Sequence, residues 1–337
     1  MIRVALIGAG KMGISHLSIL GAHPQVEVVG VADNAHLVTD FLEKYAQYRC
    51  FTDYNKMIEV TKPDAVIVAV PTKLHSLFVW NLLKNDIHVF VEKPFCLDVD
   101  EGLGLMEMAR ARNLVNQVGY HNKFIGTFKE AKNIIETGLI GKIQHFTADM
   151  NGPVFVRNKQ QSWRSKEDEG GGCLLDYAAH SIDLLNYLVA PIDKVHGTIL
   201  KQYYNTNVED GVYALLETKN HISGVLNVNW SDETYRKMAT TITIMGTKGK
   251  LIVDATELKL YLKETPHHMA YSKGWNLRHI NELSEEVDYY LRGEEYSAQL
   301  DYFIKAVNGD VPNNINNFES ANQTDRVIQL IRNFKTN

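Results

Sequence analysis

Lys93 is the residue whose position most strongly suggests chemistry. It ends an apolar run in the sequence Val89-Phe-Val-Glu-Lys-Pro94. A buried ammonium is costly unless it is paired or used, so packing alone does not explain a Glu-Lys pair at the end of a strand. In an open α/β sheet, the carboxyl ends of the strands face the ligand crevice. Lys93 is therefore predicted to act on a bound substrate.

Asp176 and His180 form a second pair of chemically useful residues. They are four residues apart in a predicted helix over 174–188, which would place them on one face. Three glycines at 170–172 precede this helix, so its first turn can approach a ligand closely. An imidazole is suited to moving a proton at neutral pH. Such a pair is more often a surface or interdomain contact, but its combination with Lys93 favours a catalytic role.

A glycine-rich segment near the start of the chain suggests a dinucleotide site. Gly8-Ala-Gly-Lys-Met-Gly13 lies between a predicted strand over 2–7 and a predicted helix, and Asp33 ends the next strand twenty residues later. The three glycines allow a tight turn, close approach of the pyrophosphate to the helix N-terminus, and close helix–strand packing. Asp33 is expected to bind ribose hydroxyls and to repel a 2′-phosphate. NAD is therefore the predicted cofactor, with NADP possible because Asn34 and His36 could tolerate a phosphate.

A further cofactor segment, Pro71-Thr-Lys-Leu-His75, follows the predicted strand over 65–70. The proline stops the strand, and Thr72 and His75 are predicted to lie near the nicotinamide half of the cofactor. The same spacing is also typical of a helix start with a surface histidine. The full set of predicted cofactor contacts is Gly8, Gly10, Lys11, Met12, Gly13, Asp33, Pro71, Thr72, His75, Glu92 and Lys93.

The elements that position these residues alternate between strands and helices up to residue 122. Strands are predicted at 2–7, 26–32, 58–60, 65–70, 87–91 and 115–120, with helices after residue 13 and at about 37–47, 74–85 and 98–112. This alternation indicates βαβ units and a parallel sheet, which right-handed crossovers make doubly wound. Residues 1–122 are therefore predicted to form an α/β domain of the Rossmann type that binds NAD(P).

Strands dominate after residue 122. Besides the helix that carries Asp176, the predicted elements are helices at 126–137, 296–308 and 319–334 and strands at 143–150, 195–203, 208–217, 221–230, 239–246, 250–254 and 258–262. Residues 123–337 are therefore predicted to form an α+β domain with a large, mostly antiparallel open sheet. Leu226, Val228 and Trp230 alternate with Val225, Asn227 and Asn229, which indicates one apolar face. A homodimer or homotetramer through this sheet is the expected assembly.

Composition argues against several other classes of protein. The 337 residues carry a net charge of −5 with a pI near 6.2, which does not suit a nucleic-acid-binding surface. No apolar run approaches the roughly 18 residues that suggest a membrane helix. The first strand begins at Ile2, which leaves no room for a signal peptide. Cys50, Cys96 and Cys173 lack metal-ligand spacing, so we expect no metal site and reduced thiols in the cytoplasm.

Three motifs together resemble one family. Glu92-Lys93-Pro94, the N-terminal glycine fingerprint and Gly170-Gly-Gly-Cys-Leu-Leu-Asp176-Tyr-Ala-Ala-His180-Ser-Ile-Asp183 are similar to those of the glucose–fructose oxidoreductase / inositol dehydrogenase / rhizopine-catabolism (Gfo/Idh/MocA) family. The resemblance covers nearly the whole chain. It implies a Rossmann domain, a second domain with a large open sheet, and oxidation or reduction of sugars and polyols with a pyridine nucleotide.

The resemblance also implies catalytic roles. In that family the lysine of the Glu-Lys-Pro motif and the Asp and His of the helix pair line the substrate site, which corresponds to Lys93, Asp176 and His180 here. His180 would remove the proton of a secondary hydroxyl, Lys93 would stabilise the developing alkoxide, and Asp176 would bind a second hydroxyl or orient the imidazole. A lysine with a lowered pKa could instead serve as the base.

Other substrate contacts follow from the same resemblance. Gly119-Tyr-His-Asn-Lys-Phe124 is similar to the segment that leaves the last Rossmann strand, where an arginine is common at the position of Lys123. Trp163-Arg164 resembles a loop that meets cofactor or substrate, although a packed loop tryptophan would look the same. Asp183 could support His180 or be a solvated acid, and His267-His268 is expected at the surface. The predicted substrate contacts are Lys93, Tyr120, Asn122, Trp163, Arg164, Asp176 and His180.

Several functions are compatible with these motifs. The first predicted substrate is a sugar or inositol-like polyol, and the second is a nucleotide-linked sugar oxidised at C3. An NAD-dependent glycosidase with transient oxidation and a regulator that binds the dinucleotide without turnover are the alternatives. The presence of both Lys93 and His180 favours an enzyme. Release of reduced cofactor would separate a dehydrogenase from both alternatives.

Overall fold

The chain forms two compact units in the computed structural model, which describes residues 1–154, 163–266 and 270–334. The first unit consists of Met1–His121 and Glu286–Asn322, and the second of Asn122–Glu285 and Gln323–Asn337. The predicted boundary at 122 lies next to the first division. The assignment of every later residue to the second domain differs from the structure, because 286–322 belongs to the first unit.

The first unit contains a six-stranded parallel sheet. Its strands are β1 (Ile2–Ile7), β2 (Val26–Ala32), β3 (Cys50–Phe51), β4 (Ala65–Val68), β5 (His88–Val91) and β6 (Asn116–Val118), in the order β3-β2-β1-β4-β5-β6. All of its strand pairings are parallel. This is the strand order of a doubly wound dinucleotide-binding sheet, so the predicted Rossmann fold is confirmed.

Helices connect these strands, and one of these helices occupies residues that were predicted to form a strand. The helices are α1 (Lys11–Ala22), α2 (His36–Ala46), α3 (Tyr54–Thr61), α4 (His75–Lys84) and α5 (Val99–Ala111). The strand predicted at 58–60 is wrong, because these residues lie in α3. The Asp53 side chain caps this helix by accepting the Asn55 N–H at 2.8 Å, and Met57 and Thr61 are buried one turn apart. The third strand is instead the two-residue β3.

The second unit contains an eight-stranded sheet that is antiparallel except for one pairing. The parallel pair is β7 with β10, so the predicted, mostly antiparallel sheet is confirmed. The last strand along the chain, β14 (Gly274–His279), was not predicted. The strands are β7 (Ile143–Asn151), β8 (Ile192–Lys201), β9 (Gly211–Thr218), β10 (Ser223–Asn229), β11 (Ala239–Gly246), β12 (Gly249–Val253), β13 (Glu257–Leu262) and β14 (Gly274–His279), in the order β14-β13-β12-β11-β7-β10-β9-β8.

The apolar face of this sheet is covered within the second unit. Leu226, Val228 and Trp230 are fully buried. Helices α6 (Gly126–Glu136) and α7 (Ala179–Leu188) pack on the sheet, and the short α8 (Ile280–Leu283) follows β14. A partner subunit would therefore have to meet the opposite face.

The opposite face carries one continuous row of paired residues across the sheet. The row runs through Leu215, Val225, Thr147, Thr243, Ile252, Lys259 and Leu277. Leu215, Val225 and Leu277 are 52 %, 41 % and 49 % exposed. Leu215 and Val225 are direct neighbours in this row, and exposed apolar side chains that adjoin in this way are typical of protein interfaces. We name the surface formed by this row the outer sheet face.

Residues 286–322 return to the first unit because they complete its core. Helix α9 (Glu294–Asn308) packs Leu300, Phe303 and Ile304 against a cluster that includes Val4 of β1 and Phe90 of β5. Helix α10 (Phe318–Arg332) begins in the same unit. Across the described parts of the chain, no helix combines the length and apolar character needed to cross a bilayer.

Candidate active site

The glycine-rich loop after β1 has the backbone that a dinucleotide requires. Gly8 has a φ of +92°, and a Cβ atom there would lie 2.5 Å from the Ala69 carbonyl oxygen. A Cβ on Gly13 would lie 1.8 Å from the carbonyl oxygen of Gly8, so only glycine allows this close packing. A Cβ on Gly10 would meet nothing within 4 Å, so the loop is open at this position. No side chain caps α1, which leaves the amides of Lys11–Met12 suited to an anion.

Asp33 joins the end of β2 to this loop. Its Oδ2 accepts the Ala9 N–H at 2.6 Å, and its Oδ1 accepts the Ala35 N–H at 2.8 Å. A carboxylate has about four lone-pair sites, so hydroxyl donors of a ribose can still bind it. Its negative charge would oppose a 2′-phosphate. The contact with the ribose remains a prediction.

Lys93 is the second residue after β5, and neighbouring side chains hold its backbone. The Glu92 carboxylate accepts the Lys93 backbone N–H at 3.2 Å, and its Oε1 lies 2.6 Å from Nε2 of His16, a fully buried ring on α1. The Lys93–Pro94 peptide bond is cis. Burial alone raises the pKa of Glu92, but the hydrogen bond from His16 and the positive charge of Lys93 hold it below its usual value. Hydrogen bonds therefore connect the helix of the glycine loop to the backbone of Lys93.

His75 is buried, so the alternative of a surface histidine is wrong. Its Nδ1 lies 2.9 Å from the Pro94 carbonyl oxygen, and its Nε2 lies 3.0 Å from that of Val70. Burial lowers the pKa of His75. The ring thus joins the end of β4 to the segment after Lys93. Thr72 is buried and Pro71 is exposed, and the nicotinamide contacts of all three residues remain predictions.

The segment after β6 is also buried. Tyr120 is fully buried, and its carbonyl oxygen accepts the Asn316 side-chain amide at 2.6 Å. His121 stacks on Tyr296 with ring centroids 4.5 Å apart. Burial lowers the pKa of His121 to about 4, although Glu92 acts in the opposite direction, so this ring is neutral at pH 7. The substrate contact of Tyr120 remains a prediction.

In the second unit, Asp176 and His180 belong to different kinds of helical turn. Asp176 lies in a π-helical turn over Leu174–Ala178, and His180 lies in the first turn of α7. Both side chains are buried. The prediction of a regular helix from residue 174 is therefore wrong for its first five residues. The four-residue spacing of a regular α-helix therefore does not describe how Asp176 and His180 are placed relative to each other. Single π turns within helices are frequent at functional sites.

Glu209 fixes the start of the π turn. Its Oε1 accepts the Leu174 N–H at 2.8 Å, and its backbone carbonyl accepts the Cys173 N–H at 3.0 Å. Gly172 has a φ of +107°, and a Cβ there would lie 2.4 Å from the Glu209 carboxylate. Burial raises the pKa of Glu209, and the Leu174 N–H opposes this effect. The last glycine of the run therefore makes room for Glu209.

Arg164 binds the Asp176 carboxylate directly. Its Nε lies 2.8 Å from Oδ2 of Asp176, and the two side chains are 34 % and 5 % exposed. The guanidinium carbon lies 4.7 Å from the ring centroid of Trp163. Both Arg164 and Asp176 were predicted substrate contacts, but their pairing was not predicted. A partly exposed cation thus holds a buried carboxylate.

Asp183 pairs with Lys123 and is not a solvated acid. Lys123 Nζ lies 2.7 Å from Asp183 Oδ1, and both side chains are almost completely buried. Burial raises the pKa of Asp183 to about 6, although Lys123 opposes this shift. The preceding Asn122 is also buried. The lysine at position 123 therefore serves an internal ion pair.

The remaining predictions concern metals and one surface pair. In the ranges that the structure describes, no group of three His, Cys, Asp or Glu side chains is arranged to hold a metal ion. His267-His268 lies outside the described residues, as does the segment 155–162 before Trp163.

Two family models match this chain. The NAD-binding Rossmann fold of an oxidoreductase family matches residues 2–120, and the GFO/IDH/MocA C-terminal domain matches residues 128–252. The chain belongs to the Gfo/Idh/MocA oxidoreductase family. The resemblance inferred from the three motifs is thereby confirmed, as is NAD as the cofactor of its Rossmann domain.

Individual Gfo/Idh/MocA proteins are similar to most of this chain. The scyllo-inositol 2-dehydrogenase (NAD(+)) of Bacillus subtilis is 25 % identical over 92 % of this chain and 88 % of its own length. A levoglucosan dehydrogenase in complex with NADH and levoglucosan has a TM-score of 0.86 and 21 % identity, over 98 % of this chain and 96 % of that one. The WlbA dehydrogenase of Bordetella pertussis, in complex with NADH and UDP-GlcNAcA, has a TM-score of 0.80 and 22 % identity, over 98 % and 95 %. The two structures show that the fold is shared.

Sequence reasoning missed two residues that contact the candidate site or its neighbours, His16 and Glu209. His16 comes three residues after Gly13 and so lies on the same side of α1, which packs against the sheet. A polar ring on that packed face was a usable signal. Glu209 lies in the loop between β8 and β9, and its distance from the π turn along the chain left no local signal.

Proposed function

We propose that this family member transfers a hydride between NAD and a secondary alcohol of a sugar or an inositol-like polyol. The observation that carries the proposal is the anchored position of Lys93 after β5, at the carboxyl edge of the Rossmann sheet. Ligands of doubly wound sheets bind at this edge. The inositol and levoglucosan dehydrogenases among the similar proteins support the substrate class.

The residues of the chain fit a dinucleotide in the first unit. The open Gly10 position, the uncapped start of α1 and the Asp33 carboxylate suit a pyrophosphate and a ribose. NAD, when bound, supplies the acceptor for the hydride. We propose that its contacts include Gly8–Gly13, Asp33 and Thr72. The acidic Asp33 favours NAD, with NADP as the weaker ligand.

We assign the proton and charge chemistry to three side chains. His180 takes the proton of the substrate hydroxyl, Lys93 stabilises the alkoxide charge, and Asp176 binds a neighbouring hydroxyl. The buried positions of Asp176 and His180 support this assignment, because burial strengthens electrostatic effects. The alternative is Lys93 as the base. Further substrate contacts are proposed for Tyr120, Asn122, Trp163 and Arg164.

A substrate screen tests this proposal. Purified protein is mixed with NAD or NADP and with single polyols, free sugars, anhydrosugars or UDP-linked sugars, and NAD(P)H is read by its absorbance. With a polyol or a free sugar, we expect each protein molecule to release NADH into solution over many turnovers. Turnover only with UDP-linked sugars would move the assignment to a nucleotide-sugar dehydrogenase. Cleavage of a glycoside without NADH release, or NAD binding without any turnover, would contradict the proposal.

We propose that two or four copies of the chain assemble through the outer sheet face. The exposed apolar residues Leu215, Val225 and Leu277 on this face support the proposal. Light scattering should give a multiple of the 38.2 kDa chain mass. Leu215→Asp combined with Val225→Asp should yield a folded monomer, whereas Leu37→Asp on the exposed surface of α2 should not change the mass. A wild-type mass equal to one chain would rule out this assembly.

We also propose a cytoplasmic location, which suits the three cysteines Cys50, Cys96 and Cys173 because none of them forms a disulfide. Recovery of the native protein in a periplasmic or secreted fraction, rather than with cytoplasmic markers, would contradict this location.

A further inference from the structure

A histidine that has no role in the proposed mechanism is buried behind β5, the strand that precedes Glu92 and Lys93. The His16 ring is fully buried, with Nε2 2.6 Å from Glu92 Oε1 and its ring centroid 5.3 Å from that of Phe90 in an edge-on arrangement. The Nδ1 atom has no hydrogen-bond partner among the described residues. The ring nitrogen that faces an acceptor is Nε2, which donates its proton to Glu92. The polar contact of the ring is therefore directed at Glu92.

We propose that His16 is a positioning residue that acts on Lys93 through Glu92. The two carboxylate oxygens have separate partners: Oε1 binds the His16 ring, and Oε2 accepts the Lys93 backbone N–H. The carboxylate is also confined on a further side, because a Cβ on Gly119 would lie 3.1–3.2 Å from its atoms. Loss of the His16 contact would free the carboxylate to rotate and would release the backbone of Lys93.

His16 also affects the charge of Glu92. Burial favours the neutral carboxylic acid, and the hydrogen bond from His16 is the largest of the effects that favour the carboxylate. Without this donor, Glu92 takes up a proton at a higher pH, and Lys93 loses a neighbouring negative charge. The titratable and charged groups around Glu92 and its neighbours are His16 from α1, His75 from α4, Lys93, His121 after β6, and Arg292 and Tyr296 from the 286–322 segment.

This inference rests on the proposed function, because it takes Lys93 as a catalytic group. It adds a link within the first unit between α1, which begins at the cofactor loop, and the residue that stabilises the alkoxide. The contact between His16 and Glu92 can nevertheless be measured without any turnover.

The first experiment follows the protonation of Glu92 by NMR on protein with ¹³C-labelled glutamate carboxyl groups. Glu92→Gln identifies the signal. In His16→Phe, which keeps an aromatic ring against Phe90, the Glu92 midpoint should rise by at least about one pH unit. In His16→Asn, whose side-chain amide can still donate a hydrogen bond, the Glu92 midpoint should lie between the midpoints of wild type and His16→Phe. If His16→Phe does not fold, the smaller shift in His16→Asn decides the result.

The second experiment measures kcat against pH with a substrate found in the screen. We expect kcat of His16→Phe to fall more steeply on the acid side of the profile than that of wild type, because protonation of Glu92 then adds to protonation of the base His180, while NADH binding stays within about threefold of wild type. The matched control is His23→Phe, which removes the histidine at the end of α1, whose Nε2 lies 3.4 Å from the Asp301 carboxylate. Its acid limb should coincide with that of wild type. A purely structural role for His16 would lower the melting temperature and scale kcat equally at every pH.

An unchanged Glu92 midpoint in His16→Phe would overturn the inference, and so would a raised midpoint that leaves the shape of the acid limb unchanged. If wild-type protein oxidises no substrate in the screen, the proposed function fails. The NMR titration then decides by itself whether His16 holds Glu92 in the ionised form.

Discussion

The two units hold their candidate catalytic side chains in different ways. In the first unit, Lys93 follows a buried parallel strand, and Glu92 and His16 fix its backbone from within the core. In the second unit, Asp176 is held by Arg164, whose side chain is 34 % exposed. The first arrangement depends on elements that every doubly wound sheet must build, and the second depends on a loop side chain that water can reach.

This difference separates the constant from the adjustable part of the proposed chemistry. Loop residues change between relatives at little cost to the fold, whereas buried contacts between core elements do not. A family that acts on many sugars and polyols is expected to keep the Lys93 arrangement and to vary the partner of Asp176. The buried Lys123–Asp183 pair shows that the second unit also has rigid charged contacts, one helical turn beyond the site.

The largest effect is expected for Lys123→Met, which removes one partner of a buried ion pair. Breaking such a pair should lower the free energy of unfolding by about 3–5 kcal/mol, because Asp183 keeps a buried charge without its cation. The cost should be smaller at pH 5 than at pH 8. The pKa of Asp183 is about 6 in the folded protein and above its usual value, so the folded state already favours the protonated form at pH 5.

Urea unfolding at both pH values checks this prediction. The matched control is Lys129→Met, since Lys129 pairs with the well-exposed Glu285 in the same unit and should cost less than about 1 kcal/mol. Equal losses of unfolding free energy in the two variants would mean that the Lys123–Asp183 pair is not a rigid contact of the second unit.

A large effect on activity is expected for the two proposed acid–base and electrostatic groups, Lys93 and His180. Lys93→Met and His180→Ala should each lower kcat by at least about a hundredfold, the usual scale for such groups. Steady-state kinetics with NAD and the best substrate measures the change. Lys44→Met and His221→Ala, at exposed positions in the first and second unit respectively, are the controls and should keep wild-type rates. Near-full activity in either site variant would remove that residue from the mechanism.

A moderate effect is expected for Arg164→Ala, which leaves Asp176 without its described cation. KM should rise about tenfold while kcat falls less, because a hydrogen bond to a charged group is worth about 1.5–3 kcal/mol and the exposure of Arg164 reduces that value. Arg164→Lys should recover part of the affinity. A hundredfold loss of kcat with unchanged KM would show instead that Arg164 acts on the transition state, and the contrast between the units would then fail.

The smallest effect is expected for Asp33→Ala. Removing the carboxylate should lower the preference for NAD over NADP by about tenfold, since about 1.4 kcal/mol of charge repulsion corresponds to that factor. The comparison of kcat/KM for the two cofactors measures it, with the exposed Glu59→Ala on α3 as the control. An unchanged preference would mean that Asp33 serves only the glycine loop through the Ala9 amide.

Local patterns in the sequence predicted the Rossmann sheet well because its signals are short-range. The Gly8–Gly13 spacing and the mainly apolar strands β1, β4 and β5 each identify an element without knowledge of its neighbours. The two-residue β3 is too short to show a pattern, and β14 alternates between half-buried and exposed residues. These two strands are defined by their pairing partners and not by their own composition.

The candidate site residues were chosen by type and spacing, but their partners could not be found in this way. The π turn at Asp176 depends on Glu209, which comes more than thirty residues later in the chain. The buried state of Asp183 depends on Lys123, which lies before the sheet. Such contacts arise from tertiary packing, and a single sequence contains no periodic signal for them. The sequence predicted the helix at 296–308, but not which core its buried residues would complete.

The return of residues 286–322 to the first unit determines how this protein can be dissected. A fragment ending at His121 would lack Leu300, Phe303 and Ile304 and would expose the apolar side chains of β1 and β5 that they cover. Such a truncation is expected to aggregate when expressed alone. A soluble nucleotide-binding fragment would need 286–322 grafted after residue 121 through a designed linker, and domain exchange with relatives would have to respect three crossover points instead of one.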